Sequence, residues 1–356
     1  MKPADAARST PKFGVAGIND APMERLQHRA RAAEELGFDH FWLADERLFR
    51  NPYVGLAAAA MATKEIQLGV SVTNPYTRHP AHTAAAIATV DELSGGRTTL
   101  GLGPGGDLSH YGLAKTRPSQ AIRETVHIVR ELTSGSQLSY RGELFSTNYA
   151  QLGFAPQRQT PIYIAGRGPK ILSLAGEVGD GVILGGFASE SGLQYALDRV
   201  STGMARAQRS WESLDVVAWL YLSVSANADL ARRAVQRIVM ASIVTSRPVL
   251  GEIGISLPPR LQRYLDERQW VLSPEELVAG AEYLEDEHLA AFSVFGSADD
   301  CVEKLAAIGK PPVKQMAFVL FPPEDSDRDN LLDQVGGQVL PELRTELAKL
   351  QRGRAI

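Results

Sequence analysis

The stretch PIYIAGRGPKILSLAGEVGDGVILGG, Pro161–Gly186, holds a complete strand–turn–helix–strand unit. "PIYIAG" and "DGVILGG" are short apolar runs without the polar alternation of a half-solvated strand. Between them "PKILSLAGEVG" has helical spacing, with Pro169 at a plausible first helical position and a glycine at its end. Two buried strands joined by one helix predict a parallel unit, because a parallel pair needs such a crossover.

The same alternation extends in both directions. Upstream, "KFGVAGI", "FDHFWLAD", "IQLGVSVT" and "RTTLGLG" predict four strands, each followed by a helical segment. The second of those helices runs from about Pro52 to Thr63 and is rich in alanine. Downstream, "LDVVAWLYLSVS" and "VKQMAFVLF" bring the total to eight strands, and a helix is expected near Gly192 to Arg209. Two segments break the rhythm. "QLSYRGELFSTNYAQLGF" alternates around Arg141-Gly142 and reads as a β-hairpin insertion near 137–154. The Pro-interrupted region near 245–292 reads as a helical insertion. Eight strands with helical partners, mostly apolar on both faces, predict an α/β fold: a (β/α)8 TIM barrel with insertions, one domain over 1–356. The doubly wound open sheet is the competing architecture.

Composition narrows the function. The chain has 356 residues, 44% hydrophobic and 22% charged, with a net charge of -4. That balance gives no electrostatic case for nucleic acid or an anionic membrane. The single cysteine, Cys301, excludes an intramolecular disulfide and fits a reducing compartment. No secretory or membrane-spanning segment is read, so a cytoplasmic protein is expected.

In a barrel of this kind chemistry gathers where the strands end, since the βα-loops meet there. Strand two ends in Asp45-Glu46, strand three in Thr73-Asn74, and strand four in "GLGPGGD", Gly101 to Asp107. Strand five ends in "AGRGPK" and strand six in Gly185-Gly186. In "AGRGPK", Gly166, Arg167 and Gly168 precede Pro169 and Lys170 at a helix start. That arrangement suits a phosphate on free backbone N–H groups, or simply a tight turn with surface charges. Pro104 and the non-helical "LSHYG" spoil a dinucleotide fingerprint, so Gly103 and Gly105 are read instead as room for a flat ligand. Asp45 and Glu46 are adjacent, and strand geometry would point them to opposite faces without a bend. His79 and His82 lack a metal-ligand pattern, and no metal is expected.

Taken together, "GFDHFWLADE", "LGVSVTNPYTRHP", "RTTLGLGPGG", the hairpin "YRGELFS" and "PIYIAGRGPKILSLAGEVGDGVILGG" resemble the bacterial luciferase-like superfamily of flavin and deazaflavin oxidoreductases. The closest likeness is to methylenetetrahydromethanopterin reductase-like enzymes that use coenzyme F420. The resemblance implies hydride chemistry at the deazaflavin C5, with FMN as the alternative cofactor and a monooxygenase as the alternative activity. It implies a non-prolyl cis peptide at Ser71-Val72 behind the ring, with Thr73 and Asn74 at its polar edge. Gly166, Arg167 and Gly168 would hold the cofactor phosphate, with Gly185 and Gly186 alongside. Deazaflavin dehydrogenases of sugar phosphates and alcohols carry Asp-His where this chain has Asp45-Glu46, so their histidine base is absent. Asp107 or Glu46 is therefore the expected proton-handling group. The missing histidine also keeps open a ligand-binding barrel without catalysis. The expected partners are a small-molecule substrate and a second copy of the chain, packed through the alanine-rich early helices.

Overall fold

The apolar runs become eleven strands: β1 (Lys12–Gly17), β2 (His40–Leu43), β3 (Gln67–Thr73), β4 (Thr98–Leu102), β5 (Leu138–Arg141), β6 (Ser146–Ala150), β7 (Ile162–Gly166), β8 (Gly181–Gly185), β9 (Asp215–Val224), β10 (Ser293–Gly296) and β11 (Gln315–Leu320). The structure is a computed structural model that describes residues 10–17, 19–46, 48–106 and 108–353. One sheet runs β10-β9-β11-β1-β2-β3-β4-β7-β8, and β9 also pairs with β8. That is the closed order of a (β/α)8 barrel. The eight expected strands are all in it. β10 is a ninth, short strand that the sequence reading did not separate from the end of the helical insertion. β5 and β6 form the antiparallel hairpin.

The chain divides into two compact units. The first spans Lys12–Ile183 and Arg199–Val216. It carries α1 (Met23–Glu35), α2 (Pro52–Ala62), α3 (Pro80–Ser94), α4 (Pro118–Thr133) and α5 (Pro169–Val178), with the last turns of α6 (Glu190–Arg206). Prolines open α2 to α5, where a missing N–H leaves no bond unmade. Its interior is packed tightly enough to require glycine. A Cβ on Gly69 would lie 2.1 Å from the Trp42 ring.

Loops of this unit are tied down by buried or half-buried ionic groups that bond to backbone. The Glu34 carboxylate accepts N–H bonds from Lys64, Glu65 and Ile66. Burial raises its pKa, yet those donors hold the carboxyl below its usual range. Glu124 does the same for the hairpin turn, accepting from Glu143, Leu144 and Phe145. The buried Arg97 guanidinium donates to the carbonyls of Ala60, Thr63, Ile66 and Ser94. Such bonds satisfy groups that would be costly to bury unpaired.

The second unit, Leu184–Asp198 and Val217–Ile356, carries α7 (Ala228–Thr245), α8 (Pro259–Glu267), α9 (Pro274–Ala281), α10 (Asp286–Phe292), α11 (Ala298–Ile308), α12 (Arg328–Gln334) and α13 (Leu340–Gly353). α8 to α10 occupy the expected helical insertion. Ser273 with Glu276, and Ser297 with Asp300, cap α9 and α11 reciprocally. The closing helix is interrupted at Gly336-Gly337, where a π-helical segment, Val335–Val339, separates α12 from α13. Trp270 packs inside this unit: its Nε1 donates to Asp266 and Arg247 lies over its ring at 4.8 Å. Among the described residues no helix is long and apolar enough to cross a membrane.

One buried group makes the first unit sensitive to acid. His40 stacks on Trp42 with ring centroids 5.6 Å apart, and its Nδ1 has no partner among the described residues. Burial, helped by Lys12 and opposed by Asp215, pushes its pKa down to about 3. The unfolded chain takes up this proton near pH 6.5, as an ordinary histidine does, whereas the folded chain resists until about 3. Stability is therefore full above that window and falls on acidification, by up to about 1.4 kcal/mol per pH unit. Thermal unfolding of the wild type should steepen its decline from pH 7 to pH 5 relative to His40→Gln. Parallel curves for the two proteins would remove His40 as the cause.

Candidate active site

The site is built where β2, β3 and β4 end, entirely within the first unit. β3 changes register against β4 between Val70 and Thr73, and the Ser71–Val72 peptide there is cis. Two glycines of the β4 end make room: a Cβ on Gly101 would lie 2.2 Å from the Val70 carbonyl oxygen. One on Gly103 would lie 2.9 Å from a Val72 methyl. Gly105, at φ +78°, sits over Asn74, where an added Cβ would come within 3.0 Å.

A cavity of about 580 Å³ opens here. Its polar lining includes Asp45, Glu46, Asn51, Asn74 and Arg78, and Leu48, Phe49 and Leu113 contribute apolar surface. Both Asp45 and Glu46 face the same cavity. The expectation of opposite faces fails because β2 ends at Leu43, so the two acids follow irregular chain rather than a pleat.

The two carboxylates have different surroundings. Asp45 accepts from the Thr73 hydroxyl at 2.7 Å and is ion-paired with Arg78, whose second nitrogen reaches its other oxygen at 3.4 Å. Arg78 in turn lies over the Tyr53 ring at 5.2 Å. Burial works against the charged guanidinium, and Asp45 outweighs it, so the Arg78 pKa is raised. Burial and the same carboxylate push the Tyr53 hydroxyl upward. Glu46 is exposed and makes no hydrogen bond or ion pair to another described residue. Asp107 lies outside the described residues.

Thr73 is thus committed to Asp45. Asn74 lines the cavity, and its Oδ1 accepts the N–H groups of Tyr76 and Thr77. Ser71 Oγ is buried without a hydrogen-bond partner among the described residues. His79 caps α3 through Nδ1, which accepts from Ala81 N–H, and its ring meets Phe145 edge-on. The Gly166–Lys170 turn stands apart from the cavity lining. Gly168 is the N-cap of α5 without a side-chain cap, Pro169 opens the helix, and a Cβ on Gly168 would enter open space. Arg167 is half-buried and Lys170 exposed. Gly185 and Gly186 end β8 in the second unit, with Gly186 at φ +72°.

The sequence reading missed Arg78 as the partner of Asp45 and Tyr111 as a cavity residue; the loop around Asn51, expected to contact substrate, does line the cavity. Arg78 stood in the polar cluster after strand three. Its pairing with a residue 33 positions away left no local periodic signal. Asn51 also caps α2, which is the signal that accounts for it without a ligand.

A parallel barrel with a cavity at its strand ends, a register change at the end of β3 packed against glycines of the β4 end, and an uncapped start of α5 apart from that cavity define the class. Residues 6–315 match the family described as luciferase-like monooxygenase, and the chain belongs to this luciferase-like family. It is 36% identical over 337 residues to 5,10-methylenetetrahydromethanopterin reductase of Archaeoglobus fulgidus, covering 94% of this chain and 100% of that one. It is 29% identical over 336 residues to an F420-dependent glucose-6-phosphate dehydrogenase of Nakamurella multipartita, covering 90% and 92%. Among solved structures, coenzyme F420 dependent tetrahydromethanopterin reductase from Methanopyrus kandleri superposes with a TM-score of 0.83 at 27% identity. That match covers 94% of this chain and 100% of that one.

The pairing of Asp45 with Arg78 gives a stability difference between neighbouring residues. Their side chains are only 14% and 24% exposed, so removing one partner leaves the other poorly solvated. Arg78→Gln should lower unfolding stability by about 1–3 kcal/mol in denaturant titration, and Glu46→Gln by less than about 0.5 kcal/mol. Equal losses would place the two acids on the same footing.

Proposed function

We propose that the chain is an F420-dependent oxidoreductase of reductase type, acting on a small organic substrate. The observation that carries this reading is the unequal treatment of two adjacent acids at the cavity. Asp45 is held as an ion pair, and Glu46 faces the cavity with no partner among the described residues. The names of the reductase relatives support the cofactor and the reaction type.

The residues present suit such a cofactor. The uncapped start of α5 leaves first-turn N–H groups for a phosphate, with Arg167 and Lys170 to add charge-assisted bonds. In this reading Asn74, a residue of the cavity lining, meets the polar ring edge, and the β3 register change at Ser71-Val72 backs the flat ring. Gly103 and Gly105 let the chain after β4 pass close to Val72 and Asn74 with no side chain between. When bound, the deazaflavin supplies hydride transfer at C5. Glu46 gives or takes the accompanying proton at a carboxylate oxygen, with Asp107 as the other candidate. The Asp45–Arg78–Thr73 cluster keeps the neighbouring charge neutralised, so only one acid is offered to substrate.

A second reading, an FMN-dependent monooxygenase, draws support from the description of the matched family. Titration of the purified protein with F420 and with FMN, followed by fluorescence, separates them. F420 should bind and FMN should not; tight FMN binding alone would sink the first reading. Glu46→Gln should lower kcat by about a hundredfold with F420 affinity unchanged, and Arg167→Ala should weaken F420 binding. A variant Glu46→Gln with full kcat would return the proton role to another group.

The family reading extends to assembly. α2 contains no charged residue, yet Val54 is 58% and Met61 76% exposed. A helix apolar on every side is ordinarily covered on every side. We propose that a second copy of the chain covers this face, in a cytoplasmic homodimer whose single thiol, on buried Cys301, stays reduced. Light scattering should give twice the chain mass for the wild type and the chain mass for Val54→Lys/Met61→Lys. A monomeric wild type would refute it.

A further inference from the structure

A second cavity, of about 390 Å³, lies over the outer face of α5, walled by α4 and by the last turns of α6. Its lining includes Arg123, Lys170, Arg199 and Arg206, with hydroxyls from Ser119 and Ser173. These four cations meet one carboxylate among the described lining residues, Glu177. That carboxylate is already bonded to Arg123 at 2.9 Å, and Arg123 first, then Arg206, holds it below its usual range.

Three observations make this more than a solvated helix surface. The chain as a whole is acidic, at -4, so a concentration of cations here goes against its average. Both α4 and α5 begin at this cavity without a side-chain cap, which adds the positive ends of two helices of 16 and 10 residues. The buried Ser173 hydroxyl also accepts from Arg206 Nη1 at 3.5 Å, which holds that guanidinium at the groove.

We propose that this groove is a polyanion-binding site for a ligand carrying two or more linked phosphate or carboxylate groups. A single phosphate would engage part of the lining; linked anionic groups can reach cations contributed by three helices. The ligand has two conceivable sources. It is either a free small polyanion or an anionic extension of the cofactor proposed for the Gly166–Lys170 turn, because Lys170 belongs to both places. The groove itself does not depend on the cofactor reading.

The test uses the full chain and Arg199→Gln/Arg206→Gln, with Arg206→Gln alone as a milder variant. Glutamine keeps the helix propensity of arginine, and unfolding temperatures check that all three are folded. Inorganic pyrophosphate is titrated by calorimetry at low and physiological salt, and F420 by fluorescence. Pyrophosphate should bind the wild type and bind the double variant about tenfold or more weakly, with the difference shrinking as salt rises. A parallel tenfold loss of F420 affinity assigns the anion to the cofactor. Unchanged F420 affinity with lost pyrophosphate binding assigns it to a free ligand. If neither pyrophosphate nor F420 responds to the substitutions, the groove is not an anion site, and the cofactor reading stands untouched. If the wild type binds no F420, that reading fails while the pyrophosphate titration still decides the groove.

Discussion

The site depends on how closely two backbones approach. β3 and β4 run so near each other past Val70 that positions 101 and 103 admit no side chain. Any larger residue would drive against the Val70 carbonyl or the Val72 side chain, and the strand would have to move out. The register change that this closeness permits sets Thr73 under Asp45 and starts the turn that Asn74 closes on Tyr76 and Thr77. Arg78 follows in the same turn and reaches Asp45. A steric allowance of two missing methyl groups thus precedes the electrostatics: it decides which acid is neutralised and which is presented.

Much of the fold was legible because strands and helices announce themselves by local period. The eight barrel strands and the hairpin around Arg141-Gly142 rest on neighbours in the chain. β10 was missed because four residues, "SVFG", directly following a helix show no period of their own. The site was legible in outline only. The strand-end rule located Asp45, Glu46 and Asn74, but the division between the acids depends on Arg78, far away in sequence and visible only once folded. Thr73 illustrates the same limit. A hydroxyl at a strand end reads as a ligand contact, and its observed bond is to a protein carboxylate.

Net charge concealed the electrostatic organisation. Several acids are consumed as acceptors for loop backbone, as with Glu34 and Glu124, and therefore do little to offset cations elsewhere. Arginines are used in the complementary way: Arg97 and Arg209 donate to carbonyls at loop and helix ends. What remains is uneven. Carboxylates collect at the cavity beside β2, and cations collect over α5. A single figure of -4 describes neither.

Glu124 has a consequence of another kind. It grips the hairpin by main-chain N–H groups of Glu143, Leu144 and Phe145, which every residue but proline possesses. Only Gly142 is constrained by the grip, since a Cβ there would strike the carboxylate at 2.3 Å. The hairpin is therefore attached like an interchangeable fitting, indifferent to most of what it displays. Exposed positions of the hairpin can change side chain without loosening this joint, Tyr149 excepted, whose backbone at φ +50° is itself restrictive.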